Sequence, residues 1–440
     1  MVNDKRTNST TGYSAQTVAG QIVEPVIYDR NEHTISRQSI DSDALKILYR
    51  LLRAGYKAYL VGGGVRDLLL GLRPKDFDIG TDAEPNEIRA LFRNSRVIGR
   101  RFRLVHVFFR GNKIIEVATF RANDVDDSAE SPDGSAPQEN IYGSDATDAF
   151  RRDLTINALF YDLATFSVID YVGGVRDLKD GIIRMIGDPD QRFREDPVRL
   201  IRTVRHAART GFRIEPVTWD ALLRNRHLIS ESSQVRVYEE LRKDFRSGHA
   251  LKILRALDDS SLLELLIPEV SGKNRVFLGE GSRLAMALAR LDKYIKHGQD
   301  VSTTVVLSLI TVFHIAADVT EPLSVDRFSS KEDLRALCSS VFEKLAVPRK
   351  ERERIMIMLF AWYSLMRTDA RKIRAATYAH KAYRDDLYTF LEAIRSSEHD
   401  DEILNALTHA ERHAKPPRPA ARRKRRRPRH QRTPGRIRSL

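Results

Sequence analysis

Residues 60–71 read LVGGGVRDLLLG and residues 75–81 read KDFDIGT, and these two stretches predict the centre of the fold. The apolar run Ala58–Val61 is typical of a buried strand, and it runs into three glycines that begin a short helix. Pro74 predicts a turn, and Asp76–Ile79 predicts a second strand that returns beside the first. The pattern therefore favours a sheet in which the glycines and the aspartates face one cleft.

Asp76 and Asp78 flank Phe77 on the second predicted strand. Because successive side chains of a strand point to opposite faces, both carboxylates face the same way while Phe77 faces the core. Two carboxylates at that distance repel each other unless a cation lies between them, and Mg²⁺ bound to substrate phosphates suits such oxygen ligands. An isolated Asp-x-Asp is more often a solvated strand surface, so a metal site needs a second motif.

The three glycines provide that second motif. Without side chains, the backbone N–H groups at the start of a helix are open to an anion such as phosphate. Arg66, one turn into the helix, is placed to add a bidentate contact to a triphosphate. A tight turn is the alternative interpretation of the glycines alone, but their position opposite the aspartates predicts a site for phosphate and metal together.

The rest of the chain divides into a mixed part and a helical part. The predicted elements are helices over Asp41–Ala54, Pro85–Phe92, Arg151–Tyr161 and Pro197–Thr210, and strands over Leu104–Phe109, Ile114–Phe120, Ser167–Tyr171 and Ile182–Met185. Residues 122–149 hold eight acidic residues and no lysine or arginine, which predicts a mobile acidic loop. From about residue 215 to 413 apolar residues recur at helical spacing, so the predicted fold class is α+β.

Length and composition restrict the class of protein. A chain of 440 residues exceeds what one hydrophobic core usually serves, which predicts two to four domains. No stretch resembles the ~18 uncharged apolar residues of a membrane span, and the polar N-terminal residues do not resemble a secretory signal. A single cysteine, Cys338, excludes an internal disulfide and a cysteine-based zinc site. Together these features predict a cytoplasmic protein.

The positive charge is concentrated at the C-terminus. The net charge is +14, and Lys415–Leu440 hold twelve of the 74 lysines and arginines but no acidic residue. The first 414 residues therefore carry 62 basic against 60 acidic groups and are nearly neutral. The segment has too little apolar content to fold, and RNA is its natural counterion, although a solubility tail is the alternative. The candidate RNA-binding residues are Arg422, Arg423, Lys424, Arg425, Arg426 and Arg427.

Four motifs occur in an order that resembles the signature of one enzyme family. They are LVGGGVRDLLLG (60–71), KDFDIGT (75–81), RRDLTINAL (151–159) and REDPVRLIR (194–202). They are similar to the motifs of the class II nucleotidyltransferases, the bacterial poly(A) polymerases and CCA-adding enzymes of the DNA polymerase beta superfamily, over roughly residues 40–270. The resemblance implies template-independent addition of nucleotides to RNA 3′ ends with two Mg²⁺ ions, or Mn²⁺, as cofactor.

The resemblance also implies roles for individual residues. The implied catalytic residues are Asp76, Asp78 and Asp153, of which the first two hold the metals, and the implied nucleotide-binding residues are Gly62, Gly63, Arg66, Arg152, Asp196, Arg199 and Arg202. For the block 151–153, a helix cap with a local ion pair is the alternative interpretation. Asp196 and Arg199, three apart on a predicted helix face, would read the base edge, and an i,i+3 ion pair is the alternative. Glu116 is a candidate third metal ligand by its position, and a solvated strand residue is the alternative.

Five regions follow from these observations. They are a flexible N-terminal extension (1–40), a polymerase-beta-like catalytic head with a small mixed sheet (41–185), a helical neck for the base and RNA (186–270), a helical C-terminal domain (271–413) and a disordered arginine-rich tail (414–440). The expected architecture is a mixed head followed by all-α regions.

The flanking sequence favours one branch of the family. Residues 91–109 and 114–121, the N-terminal extension and the basic tail resemble the poly(A) polymerases. This branch implies transfer of AMP from ATP to the 3′ ends of mRNA and of structured or decaying RNA, which promotes RNA turnover, with RNA-decay proteins as candidate partners of a monomer. CCA addition to tRNA from CTP and ATP is the alternative. An inactive RNA-binding scaffold is the third possibility, and the presence of Asp76, Asp78, Arg66 and Asp196 together speaks against it.

Overall fold

A computed structural model describes residues 13, 15–18, 20–99, 103–122, 142–271, 277–316, 330–340, 345–368, 382–396 and 398–413. The predicted basic tail with its six candidate RNA-binding residues lies outside the described residues, as does most of the predicted acidic loop. Within the described part of the chain, no helix combines the length and the apolar character needed to cross a membrane.

The N-terminal half is built on a mixed sheet. The strands are β1 (Gln16–Val18), β2 (Gln21–Val23), β3 (Val26–Tyr28), β4 (Ala58–Val61), β5 (Asp78–Thr81), β6 (Ser95–Ile98), β7 (Leu104–Phe108), β8 (Ile114–Thr119), β9 (Leu159–Asp162), β10 (Ser167–Asp170), β11 (Ile182–Ile183) and β12 (Arg213–Ile214). Among the described residues the main sheet has eight strands in the order β3-β10-β9-β4-β5-β8-β7-β6. Strands β5 and β8 are parallel, and the other neighbours are antiparallel. The predicted mixed sheet is therefore confirmed.

Helices pack on this sheet and form the remainder of the molecule. They are α1 (Ser42–Arg53), α2 (Gly63–Leu69), α3 (Pro85–Leu91), α4 (Asp145–Phe150), α5 (Gly174–Asp180), α6 (Pro189–Glu195), α7 (Val198–Thr210), α8 (Pro216–Asn225), α9 (Gln234–Phe245), α10 (Ala250–Asp259), α11 (Leu263–Leu266), α12 (Arg283–Lys296), α13 (Thr303–Ala316), α14 (Lys331–Ser340), α15 (Arg349–Met366), α16 (Arg384–Ile394) and α17 (Glu398–His413). The α+β class and the helical C-terminal half are as predicted. The predicted helices at α1, α3 and α7 are confirmed to within a few residues, as is the β7–β8 hairpin.

The two faces of the sheet pack against different cores. On one face, alternate residues such as Leu60, Ile79 and Val117 join the main core. On the other face, Tyr59 and Val61 join a second, smaller core that includes residues of α4 and of β1. Asp78 pairs with Val61 across β4 and β5, so its side chain lies on this second face. Asp78 therefore lies at the edge of the second core.

The N-terminal residues differ from the prediction. The region 1–40 was predicted to be a flexible extension, but within its described part β3 forms the edge strand of the main sheet. Ile35 and Ile40 are buried in the main core, with 1% and 5% of their surface exposed. Strands of three residues separated by polar turns carry too little alternation for a periodic pattern to show, which explains why the sequence did not reveal them.

The motif RRDLTINAL also differs from the prediction. Arg151–Tyr161 was predicted to be a helix, but only a short 3-10 helix, Thr155–Asn157, forms within it. Its last three residues belong to a strand, β9, whose four residues are all buried between β4 and β10. The helix lies upstream instead, as α4, and it buries Asp145 and Asp148 at the end of the predicted acidic loop. A strand that is buried on both faces is apolar throughout and does not alternate between apolar and polar residues. This apolar run therefore could not be distinguished from part of a helix.

Candidate active site

A cleft of about 540 Å³ lies where the ends of β4 and β5 meet α7 and α9. Ten of the residues predicted from the sequence line it, namely Gly62, Gly63, Arg66, Asp76, Asp78, Arg152, Asp153, Asp196, Arg199 and Arg202. The fold therefore brings together four motifs that are spread over more than a hundred residues of sequence.

The two metal-site aspartates face this cleft from one short segment. Asp78 is the first residue of β5, whereas Asp76 lies in the loop before it, so the predicted strand Asp76–Ile79 begins two residues late. Phe77 between them packs against the main core, as expected. Burial raises the pKa of Asp78 to about 6, and the negative charges of Glu116 and Asp76 act in the same direction against the nearby Arg152. A cation at this position would relieve that repulsion.

Glu116 lies beside Asp78 on the neighbouring strand. The parallel register pairs Ile79 with Val117, which places Asp78 next to Glu116 one step earlier on the same face. The Glu116 side chain is 53% exposed and lies 3.3 Å from His106 Nε2. In the described part of the chain, no three His, Cys, Asp or Glu side chains are grouped closely enough to hold a metal. Two carboxylates nevertheless fit Mg²⁺, which takes its other ligands from water and substrate phosphates.

The glycines at the start of α2 allow arginine side chains to approach the backbone. A Cβ atom on Gly62 would lie 3.0 Å from Arg152 Nη1, and one on Gly63 would lie 3.4 Å from Arg66 Nη2. Gly62 also has a φ of 69°, in the left-handed region that favours glycine. The glycines therefore serve first to admit two guanidinium groups, which are the donors suited to phosphate.

Arg66 is buried and held by three side chains. Its guanidinium donates to Asp67 Oδ1 at 2.7 Å and to Asn157 Oδ1 at 2.7 Å, and its Nη1 lies 3.2 Å from His206 Nδ1. Because arginine can only donate, a neutral His206 accepts this bond. Burial and the Arg66 charge hold the pKa of His206 well below its ordinary value, which keeps the imidazole neutral. Arg66 therefore faces the cleft in a fixed orientation.

Arg152 and its neighbour Arg151 are held by one carboxylate of α4. Asp148 accepts from Arg151 Nη2 at 2.6 Å and from Arg152 Nη2 at 2.8 Å. Burial opposes ionisation of Asp148, but the charges of Arg152 and Arg151 hold its pKa below the ordinary value. The ion pairs are formed at the end of α4, not at the helix start that the alternative interpretation of this block assumed.

Asp153 joins the sheet to α7. Its Oδ2 accepts from Arg202 Nε at 2.6 Å, and its Oδ1 accepts from the backbone N–H of Leu154 at 2.8 Å. Burial alone would raise the pKa of Asp153, but the Arg202 charge and this hydrogen bond hold it well below the ordinary value. An ionised carboxylate thus lies at the floor of the cleft, already paired with one of the predicted nucleotide-binding arginines.

Asp196 and Arg199 do not share a helix face as predicted. Asp196 lies between α6 and α7, where its Oδ1 accepts from the N–H of Val198. The side chains are also not paired with each other: Asp196 accepts from Arg236 Nη2 at 2.9 Å, and Arg199 donates to Glu195 at 2.9 Å. The i,i+3 ion pair of the alternative interpretation is therefore wrong. Proline at position 197 restricts the residue before it, which explains the break in the helix.

Several residues that hold the predicted site residues in place were not predicted from the sequence, and four of them illustrate why. They are Asp148, Asn157, His206 and Arg236. Asn157 lies within the motif RRDLTINAL, so its place in that motif could have identified it as a site residue. His206 was hidden because it lies in an otherwise regular helix pattern, and Arg236 because its contact to Asp196 spans 40 positions of sequence.

Two family profiles and several known proteins are similar to this chain. The profile described as "Poly A polymerase head domain" matches residues 58–184, and that described as "Probable RNA and SrmB- binding site of polymerase A" matches residues 211–273. Poly(A) polymerase I of Escherichia coli O6:H1 is 49% identical over 251 residues, which are 56% of this chain and 54% of that protein. The chain thus spans about half the length of this curated relative.

CCA-adding enzymes are also similar. That of Bacillus velezensis is 35% identical over 236 residues, which are 53% of this chain and 58% of that enzyme. The crystal structure of the Bacillus stearothermophilus CCA-adding enzyme in complex with CTP superposes with a TM-score of 0.59 at 25% identity, over 84% of this chain and 82% of that one. The match extends over the head and the helical part alike. Residues 58–184 therefore match the poly(A) polymerase head domain, and the chain is similar in sequence and in fold to the bacterial poly(A) polymerases and the CCA-adding enzymes.

Proposed function

We propose that this chain transfers AMP from ATP to the 3′-hydroxyl of RNA and releases pyrophosphate. The observation that carries this proposal is the single cleft in which Asp76 and Asp78 lie opposite Asp196 and Arg199. Eight arginine or lysine side chains line it against six acidic ones, which suits an anionic substrate. Poly(A) polymerase I, at 49% identity, is more similar than the CCA-adding enzyme at 35%, which favours adenylation over CCA addition.

The residues on the sheet side of the cleft would act on the phosphates. Arg66 and Arg152 are held in place by Asn157 and Asp148, so they would bind the triphosphate without a further loss of conformational freedom. Asp76 and Asp78 would hold two Mg²⁺ or Mn²⁺ ions. Such metals, when bound, would lower the pKa of the RNA 3′-hydroxyl and neutralise the departing pyrophosphate.

The residues on the α7 side would select the base. A polymerase without a template has to recognise the Watson–Crick edge with its own donors and acceptors. Asp196 and Arg199 offer an acceptor and a donor fork, and each is held by an ion pair, Asp196 to Arg236 and Arg199 to Glu195. The pair is therefore pre-oriented although its members lie on different elements.

The wider assignments follow from this activity. We assign phosphate chemistry to residues 41–185, base selection and RNA contact to 186–270, and further RNA contact to the helical part 271–413 and the basic tail 414–440. Adenylated 3′ ends would promote RNA turnover in the cytoplasm, so RNA-decay proteins are the proposed partners of a monomeric enzyme.

One experiment separates the candidate activities. The full chain is incubated with a generic RNA and with a tRNA that lacks CCA, each with ATP alone and with CTP plus ATP. Long A-tails on both RNAs support polyadenylation, whereas a three-nucleotide addition confined to the tRNA supports CCA addition. If no nucleotide were incorporated at any Mg²⁺ or Mn²⁺ concentration, the result would support an inactive RNA-binding scaffold. An Asp78→Asn protein prepared in parallel controls for contaminating polymerases.

A further inference from the structure

At the end of the main sheet that contains β7 and β8, the face that points away from the main core is exposed to solvent. In β7 and β8, Val105, Val107, Ile115 and Val117 belong to the main core, on the side where α3 packs. Strand alternation therefore places Leu104, His106, Phe108, Ile114 and Glu116 on the opposite face, which we call the outer face. Phe108 and Ile114 are directly paired across the two strands, and they are 39% and 46% exposed. Two adjacent large apolar side chains thus face solvent.

The outer face is continuous with the carboxylates of the cleft. The strand registers place Asp78, Glu116, His106 and Arg96 side by side in one row across β5, β8, β7 and β6. His106 Nε2 lies 3.3 Å from Glu116 Oε1, and its ring meets that of Phe108 edge to face with centroids 6.4 Å apart. A ligand that reaches Asp78 along this row would therefore contact the aromatic part of the face on its way.

The chemistry of the row changes with distance from the cleft. It is acidic at Asp78 and Glu116, aromatic at His106, whose ring contacts Phe108 of the same face, and cationic at the exposed Arg96. Flat apolar surfaces stack unpaired bases, and arginines beside them pair with the backbone phosphates of a single strand. Acidic groups at the inner end repel phosphate unless metal is present, so they favour a hydroxyl end there.

We propose that the outer face binds the last nucleotides of the acceptor RNA, with a base against Phe108 and Ile114 and a phosphate at Arg96. This inference rests on the proposed function, whose 3′-hydroxyl must reach Asp78. Strand β7 lies two strands from β5, which is roughly 10 Å at the usual strand spacing. A stacked strand advances about 3.4 Å per nucleotide, so the base at Phe108 is the second or third behind the 3′ end.

Two surface variants and a matched control test the assignment. Phe108→Ala removes the stacking ring and Arg96→Ala removes the cation, whereas Val26→Ala removes an exposed apolar side chain, 52% exposed, on β3 at the opposite edge of the main sheet. Affinity for a short single-stranded RNA is measured without ATP, and ATP affinity is measured without RNA. Thermal unfolding of each protein shows whether it remains folded.

We expect Phe108→Ala to weaken RNA binding roughly fivefold or more, the effect of losing one stacked base. Arg96→Ala should weaken it less and reduce its salt dependence, while ATP affinity and the RNA affinity of the Val26→Ala protein stay at wild-type values. In the wild-type chain, 4-thiouridine placed second or third from the 3′ end should crosslink to residues 104–116.

Unchanged RNA affinity in both variants, or crosslinks only elsewhere, would overturn the proposal. So would a shift in oligomeric state with Phe108→Ala, because the face would then join two copies of the chain. These readouts do not require catalysis: a chain that binds RNA on this face but adds no nucleotide contradicts the proposed function alone. A chain that adds AMP with Phe108→Ala at wild-type RNA affinity contradicts this inference alone.

Discussion

Asp78 is a carboxylate whose surroundings disfavour its own charge, because burial, Glu116 and Asp76 all raise its pKa. Such a group gains most from a bound cation. We expect Asp78→Asn or Asp76→Asn to lower AMP transfer roughly 100-fold or more, the scale of losing one electrostatic contact to the reacting groups. RNA affinity and the circular dichroism spectrum should be unchanged. Asp180→Asn, at an exposed ion pair with Arg176, serves as the control. Near wild-type rates at saturating Mg²⁺ would contradict the metal assignment.

His206 contributes to ATP binding indirectly, because it holds the Arg66 guanidinium in place. Loss of its Nδ1 acceptor in His206→Leu should let the guanidinium turn away and raise the KM for ATP roughly tenfold, as for one hydrogen bond to a charged group. The value of kcat and the KM for RNA should change less. His206→Asn, which keeps an acceptor near the Nδ1 position, should recover part of the loss. If His206→Leu and Arg66→Ala had additive effects on KM, the two residues would act independently.

Base selection in the proposed reaction also depends on single side chains. Arg199→Ala or Asp196→Ala should reduce the preference for ATP over CTP and GTP, each lost base contact costing roughly 1 to 3 kcal/mol. Arg236→Ala should give part of this effect without touching the base, because Asp196 loses the partner that orients it. Arg194→Ala, at an exposed residue of α6, is the matched control. An unchanged incorporation ratio in all three variants would place the base reader elsewhere.

At the scale of elements, the sequence was informative where a pattern had a clear period or a glycine. The β4–α2–β5 unit, α7 with its Gly211 end and the β7–β8 hairpin all follow from such signals. The failures share a physical cause. β9 is buried on both faces and β1 to β3 are three residues long, so neither shows alternation. The partners of Asp196 and Arg66 depend on packing between distant elements, which no local pattern encodes.

The ion pairs between α7 and α9 predict how the stability of the fold depends on pH. Arg205 of α7 is shared by Asp244 and Glu240 of α9, and Asp244 is only 1% exposed. Burial raises the pKa of Asp244 to about 6 from 3.8, and Glu240 adds to this against the pull of Arg205. The folded protein therefore binds this proton more tightly than the unfolded chain, and the stability that it contributes is lost as pH rises from about 4 through 6.

Asp244→Asn removes this titration. Its stability relative to wild type should improve as pH rises from 4 to 7, by up to roughly 3 kcal/mol for a shift of about two units in a buried group. Urea unfolding at several pH values measures the difference. Glu239→Gln, which removes an exposed carboxyl of the same helix, should leave the pH dependence intact. A constant difference between wild type and Asp244→Asn across this range would contradict the raised pKa of Asp244.

At the scale of the whole molecule, charge is distributed unequally along the sequence, since residues 415–440 carry twelve of the fourteen net positive charges and the first 414 residues are nearly neutral. Truncation after Ala414 should leave AMP transfer intact but raise the KM for long RNA and flatten the salt dependence of RNA binding, because fewer counterions are released. A scrambled tail of the same composition should restore both properties. Titration of labelled RNA at several salt concentrations tests this, and an unchanged slope after truncation would assign RNA binding to residues 1–414.

The bonds from α7 to the opposite wall of the cleft, Arg202 to Asp153 and His206 to Arg66, have a consequence for the proposed reaction. They would hold the base-selecting pair at a fixed distance from the carboxylates. In the proposed reaction, the growing RNA end would then have to withdraw by one nucleotide after each addition before another ATP could bind. The number of nucleotides added would therefore depend on how often the RNA dissociates during that withdrawal.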